Sequence, residues 1–309
     1  MRVLLAGATG AIGGQLVPVL QEAGHTVIAL TRPSRGGTLP AGVEVAVADA
    51  LDAAEVTKAV RQSQPDAIVH QLTALSGMSS MRNFDKAFAA TNRLRVEGTD
   101  NLLAAADAAG VTRVVAQSYT GWPYGRTGSR IKSETDPLDS NPLPTMARSL
   151  EAIVHLENAV TEFGGTVHRY GSLYGPGTNL GPGGEVTEMI KARKFPLVGS
   201  GDGVWSFIHV RDAAKAVVRT LENPVAGYFN ICDDEPAPIK EWLPYFAKVV
   251  GAKSPLHIPA WLGRLAAGEA VVSMQTDVPG ASNTKAKNEL KWLPEFASWR
   301  RGFAQMMAA

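Results

Sequence analysis

A single cysteine, Cys232, in a chain of 309 residues excludes an internal disulfide framework and suits a reducing compartment. The thiol itself reads as a small core residue. Net charge is almost absent, with 30 Lys and Arg against 29 Asp and Glu. No global field points to nucleic acid or to an anionic membrane, and the basic residues form no run that would track phosphates. No stretch reaches the roughly 18 uninterrupted apolar residues of a membrane span, and the first apolar run is cut at Gly7, too early for a secretory signal. The histidines lack ligand spacing such as His-x-x-x-His, so no metal is expected. These absences leave the expectation of a cytoplasmic protein, monomer or homodimer, that handles a small molecule.

What is present is a chain nearly half apolar, enough to bury a large core in one big domain or two coupled ones. Its first two-thirds alternate short β-rich runs with helical periods. The strand-like runs are Val3–Ala6, Thr26–Leu30, Val43–Ala48, Ala67–Gln71, Val114–Gln117 and Thr166–Tyr170. Each is nearly continuous in apolar character, as strands covered on both faces are. Helix-like segments lie between them: Ala11–Ala23, Ala53–Gln62, Asp85–Ala109 and Leu143–Phe163, three of them closed by glycine and one by Pro65. Pro18 falls inside the first, where a kink is expected. Repeated β-α-β units imply right-handed crossovers. Beyond residue 172 the chain turns rich in Gly and Pro. A helix at Glu185–Ala192, a strand at Trp205–Val210 feeding a helix at Arg211–Leu221, and a strand at Tyr228–Ile231 follow.

The first turn, Gly7-Ala8-Thr9-Gly10-Ala11-Ile12-Gly13, follows a strand and opens a helix. Gly7 permits the tight turn, Gly10 removes a side chain where a pyrophosphate must approach, and Gly13 lets the helix pack close to the strand. The helix N-terminus then offers unpaired N–H groups and partial positive charge to phosphates. The fold expected is α/β, a doubly wound parallel Rossmann sheet with a smaller, mostly C-terminal substrate-binding region. Residues 1–174 and 206–232 are assigned to the dinucleotide-binding core, and 175–205 and 233–309 to the substrate-binding region.

With its Gly-x-x-Gly-x-x-Gly spacing, the chain resembles the extended branch of the short-chain dehydrogenase/reductases, which includes sugar-nucleotide epimerases and dehydratases. Arg169-Tyr170-Gly171-Ser172-Leu173-Tyr174-Gly175-Pro176-Gly177 looks like that family's Arg-x-x-Asn-x-Tyr-Gly-Pro-Gly, and Ser206-Phe207-Ile208-His209-Val210-Arg211-Asp212 like its strand-into-helix signature. The resemblance implies that Asp49 and Ala50 meet the adenine and that Leu72, Thr73 and Ala74 line the cofactor. It further implies cofactor roles for Asn92 on the long central helix and for Gln117, Tyr170 and Ser172 at strand ends. A preference for NAD needs an acid at the end of the second strand. Here Thr31-Arg32-Pro33-Ser34-Arg35 offers Arg32 and Arg35, suited to a 2′-phosphate, so NADP(H) is expected over NAD(H).

The family's reductases use a Tyr-x-x-x-Lys pair as proton relay. The matching helix here puts Met146 at the tyrosine position and Leu150 at the lysine position, and neither can relay a proton. In the preceding strand, counting back from Tyr124-Gly125 puts Thr120 where the family has a catalytic serine. Counting forward puts Tyr119 there, beside Ser118. Met78, Met81, Trp122, Tyr124, Met146, Tyr174, Leu180, Trp205 and Trp261 are expected to face a bulky, flat, apolar substrate. Atypical extended members, among them ketoreductases that tailor aromatic polyketides in actinomycetes, are similar in lacking the Tyr/Lys pair. The expectation is therefore NADPH-dependent, substrate-assisted reduction of a ketone, since positioning a carbonyl against the nicotinamide supplies much of the effect. A sugar-nucleotide epimerase, dehydratase or reductase and a catalytically silent NADP-binding sensor are the alternatives.

Overall fold

The computed structural model describes residues 1–32, 39–75 and 81–308. Its centre is a seven-stranded parallel sheet. In chain order the strands are β1 (Arg2–Ala6), β2 (Thr26–Thr31), β3 (Glu44–Val47), β4 (Ala67–His70), β5 (Arg113–Tyr119), β6 (Thr166–Tyr170) and β7 (Gly227–Ile231). In space they run β3-β2-β1-β4-β5-β6-β7. The chain therefore winds outward from β1 in one direction and then from β4 in the other. The crevice between the carboxyl ends of β1 and β4 is the switch point at which such sheets bind ligands.

Both faces of the sheet are covered, which is why the strands are almost uninterrupted in apolar residues. Leu4, Ile28, Ile68, Val114 and Val167 pack under Val56, Leu102, Leu156 and Val160 of three helices. Val3, Leu5, Val27, Val69 and Val115 pack under Leu16, Leu20, Val217 and Leu221 of two more. The exception is β3, where only Ala46 is buried and Val45 and Val47 are each 56% exposed, because it is the edge strand. A further core, built on Tyr174, Phe207, Trp242, Phe246, Trp299 and Phe303, lies among the elements after β6.

Local chemistry explains the helix boundaries. Asp52 begins the helix Ala53–Ser63 by accepting the N–H bonds of Ala54 and Glu55, and Gln64, left-handed, ends it before Pro65. The helix Ala11–Glu22 runs through Pro18 as one element. The helix expected from Leu143 starts only at Ala147. Its cap comes from Asp85, whose carboxylate accepts from the N–H groups of Arg148 and Ser149 and from the Ser149 hydroxyl. The segment expected as one helix over 85–109 is instead Phe84–Ala87, Ala89–Arg93, a π-helical turn at Leu94–Gly98, and Thr99–Ala108. The single thiol, Cys232, is fully buried just past β7 beside Tyr124 and Ala281, and burial pushes it well above its usual range. Among the described residues, no helix is long and apolar enough to cross a membrane.

Candidate active site

The turn after β1 is shaped by contacts that admit no side chain. Gly7 has φ +103°, and a Cβ there would lie 2.6 Å from the carbonyl oxygen of Gln71, just past β4. A Cβ on Gly13 would fall 2.1 Å from the Gly7 oxygen. These two glycines press the helix onto the strand, while Thr9 and Gly10 are exposed at the mouth of the crevice. The helix Ala11–Glu22 begins at Gly10 with no side-chain cap among the described residues and no acid in its first turn. Its first N–H groups therefore remain available to an anion, and the cradle fits a pyrophosphate.

Along the rest of the crevice, Arg32 is exposed just past β2, and Arg35 lies outside the described residues. Asp49 is half-buried past β3, its carboxylate accepting the Leu51 N–H at 3.0 Å, and Ala50 is buried and holds Asn101 through its carbonyl. After β4, half-buried Leu72, Thr73 and Ala74 continue the wall, and the Ala74 N–H donates to the Thr91 hydroxyl at 3.0 Å. The Asn92 amide donates to the Ser149 hydroxyl at 2.9 Å, which joins the central helix to the start of the helix Ala147–Glu162. Gln117 is half-buried on β5, and Tyr170, at the end of β6, is buried beside Ile12 of the turn.

The three candidate catalytic hydroxyls have different fates. Ser118 donates to Glu157 at 2.6 Å and is closed off in a buried network. Glu157 also takes two bonds from Arg169, at 2.8 and 2.5 Å. Arg169 in turn donates to the Tyr124 hydroxyl, which donates to Asn230, both at 2.9 Å. The guanidinium also lies over the Tyr124 and Tyr228 rings. Burial pushes the Tyr124 phenol up to about 12. Tyr119 pairs its hydroxyl with Ser172 at 3.0 Å. Thr120, just past β5, is 2% exposed and its hydroxyl has no partner among the described residues. A buried hydroxyl left unsatisfied is costly, and this one lies one residue past the end of β5.

The expected substrate-facing residues divide in the same way. Met81, Trp122, Met146 and Trp205 gather in one apolar cluster with Phe84, Leu150 and Ile153. Tyr124 belongs instead to the buried network of Arg169 and Glu157, because its hydroxyl is taken by Arg169 and Asn230. Tyr174 and Leu180 are packed in the core beyond β6, where Phe207 and Phe303 surround the Tyr174 ring. Trp261 is 61% exposed, and Met78 lies outside the described residues. Two residues that sequence reasoning missed complete the picture. Glu157 is an acid on the inward face of an amphipathic helix, and Arg95 is a buried cation in the π turn. Charge at a position of apolar periodicity was the available signal for both. Among the described residues, no three metal-ligating side chains come together.

The sequence profile of the NAD dependent epimerase/dehydratase family matches residues 3–232. The chain belongs to that family. It is 42% identical over 308 residues to a 3-diazoavenalumate denitrifying reductase from a Streptomyces species, covering 99% of this chain and 100% of the relative. It is also 26% identical to a 2-alkyl-3-oxoalkanoate reductase from Stenotrophomonas maltophilia, over 82% of this chain and 76% of that one. Among solved structures, the Thermus thermophilus UDP-glucose 4-epimerase in complex with NAD superposes with a TM-score of 0.75 at 26% identity, covering 100% of this chain and 98% of that one. Family, fold and cradle agree on an enzyme of oxidoreductase chemistry with a nicotinamide dinucleotide cofactor.

Proposed function

We propose that this family member is an NADPH-dependent reductase of a bulky aromatic carboxylate, working on an acceptor that takes no proton from a tyrosine. The observation that carries the reading is that Met146 and Leu150, which the resemblance aligns with the family's proton relay, are 2% and 5% exposed in packed hydrocarbon. When bound, the reduced nicotinamide supplies a hydride. An acceptor that loses dinitrogen as its new C–H bond forms needs only that hydride, whereas a ketone also needs a proton. The reductase relative at 42% identity is named for a diazo compound and for loss of nitrogen, which favours the first kind of acceptor. Both reductase relatives are named for carboxylate substrates, and we take this substrate to carry that group as well. In this reading Gly10 and the first N–H groups of the Ala11–Glu22 helix hold the pyrophosphate, Asp49 the adenine, and Arg32 the 2′-phosphate. Trp122, Met146, Phe84 and Met81 form an apolar wall that excludes water from the reacting carbon.

Ketone reduction is the second reading, favoured by the unpartnered Thr120 hydroxyl, which suits a carbonyl, and by the oxoalkanoate reductase relative. A hydroxyl is a poor acid, so the proton then comes from the substrate's own hydroxyl or from water. The test mixes protein and NADPH with an aryl diazonium carboxylate and, separately, with aromatic ketones. NADPH loss and nitrogen release above the protein-free rate support the first reading, and alcohol formation supports the second. Tight NADPH binding with neither reaction refutes both and favours a silent binding protein. Arg32→Ala is expected to weaken NADPH about tenfold and leave NADH unchanged, the low end for an exposed charge-assisted contact. Equal losses for both cofactors would remove Arg32 from the 2′-phosphate.

A further inference from the structure

Three cations are buried among the described residues: Arg95, Lys132 and Arg169. Arg169 is paired two-fold with Glu157. Lys132 donates to the Thr127 carbonyl and lies 3.7 Å from Asp136. Among the described residues, Arg95 has no carboxylate within ion-pair distance. One of its N–H groups makes one long bond, 3.4 Å to the Asn92 side-chain amide oxygen, and that is its sole side-chain hydrogen bond among the described residues. The acid nearest in sense, Glu157, is already taken by Arg169 and Ser118. Burial accordingly pulls the Arg95 guanidinium down to about 10, with Glu157 opposing only in part. A guanidinium has five donors in a fixed fork, and leaving most of them unmet in the interior is costly. The remaining nitrogens are not sealed off, since they are absent from the buried polar atoms that lack partners, and the residue keeps 7% exposure.

The backbone aims this fork. Thr91, Arg95 and Thr99 lie four residues apart, on the side of the central helix that meets the end of β4. Thr91 accepts the Ala74 N–H, and Thr99 pairs with His70 at 3.2 Å. The π turn at Leu94–Gly98 widens the helix where Arg95 leaves it, and such single turns recur at functional sites. Helix side chains lean toward the N-terminus, so Arg95 leans toward Asn92. Asn92 bridges it to Ser149, the neighbour of Leu150.

We propose that Arg95 is the receptor for the substrate's carboxylate, its free fork taking the two oxygens side by side while the aromatic body lies on the wall of Trp122 and Met146. A bidentate arginine–carboxylate pair is the partner this geometry lacks. The inference rests on the aromatic carboxylate reading, but its test does not depend on turnover. The NADP⁺-loaded protein is titrated calorimetrically with cinnamate and with cinnamamide, which share a ring and differ in charge. The native protein is expected to prefer cinnamate by roughly 10- to 100-fold, the range for hydrogen bonds to a charged group. In Arg95→Met the preference is expected to vanish while NADP⁺ affinity and the unfolding temperature hold. Arg95→Lys should keep part of it. A native protein with no preference overturns the proposal without any variant. So does an Arg95→Met protein that keeps the preference, or one that loses NADP⁺ affinity instead.

Discussion

Replacing Glu157 with glutamine removes one negative charge from a place that water does not reach, and keeps the volume. The side chains of Arg169 and Glu157 are 5% and 2% exposed, and their two bonds are 2.8 and 2.5 Å long. Breaking a buried pair from one side costs about 3–5 kcal/mol, because the surviving charge is left uncompensated. The Tyr124 and Tyr228 rings, 5.2 and 4.6 Å from the guanidinium, offset some of that, since a desolvated cation–π contact is worth about 2 kcal/mol. The expected net loss is about 2 kcal/mol, or a fall in Tm of roughly 4 °C for a chain of this size. Circular dichroism during heating, with urea titration as a second route, measures it. Adding Arg169→Met should recover at least half of the loss, because the orphan charge then disappears. A fall of under about 1 kcal/mol in Glu157→Gln, or a double variant worse than the single one, would refute the view that charge pairing holds this network.

Gly13→Ala puts a Cβ 2.1 Å from the Gly7 oxygen, so a loss of about 2–3 kcal/mol and a more than tenfold weakening of NADPH are expected by calorimetry. Gly14→Ala, one residue on and with nothing within 4 Å, should instead stabilise by about 0.5–1 kcal/mol. Burial depresses His168 to about 3 and His70 to about 4, so both are neutral in the fold, while the unfolded chain protonates below about 6.5. Stability is thus full above pH 6.5 and falls as pH drops through the window toward 4, and His168→Gln should flatten that slope in pH-dependent unfolding. Thr120→Val removes an unpartnered buried hydroxyl, so stability should hold or rise. Its kinetics separate the two readings of function: ketone turnover should fall about 10- to 100-fold, with turnover of a diazo acceptor unchanged.

The parts of this molecule written in short-range chemistry are legible from the sequence. Gly7 and Gly13 announce a turn that no side chain survives, and the apolar runs announce covered strands. What escapes is set by residues far apart in the chain. Asp85 begins a helix more than sixty residues away, so no local signal separates Leu143 from Ala147 as its start. Ser118 reads as a catalytic hydroxyl, but its hydrogen bond is taken by Glu157, on a different element. The π turn breaks the helical period by one residue, which a pattern of period 3.6 absorbs without trace. Tyr124 and Tyr174 show that an aromatic residue in a motif announces burial more readily than contact with a ligand.

Cys232 gives the protein a built-in clock. Its sulfur is sealed against the Ala281 carbonyl at 3.5 Å, between the end of β7 and the segment that continues past Pro279. A thiol reagent reaches it only when that seam parts. The alkylation rate of the unlabelled, unmodified chain, followed by mass as denaturant is raised, therefore reads the free energy of opening at one known place. With no second cysteine to compete, every labelling event reports the same door.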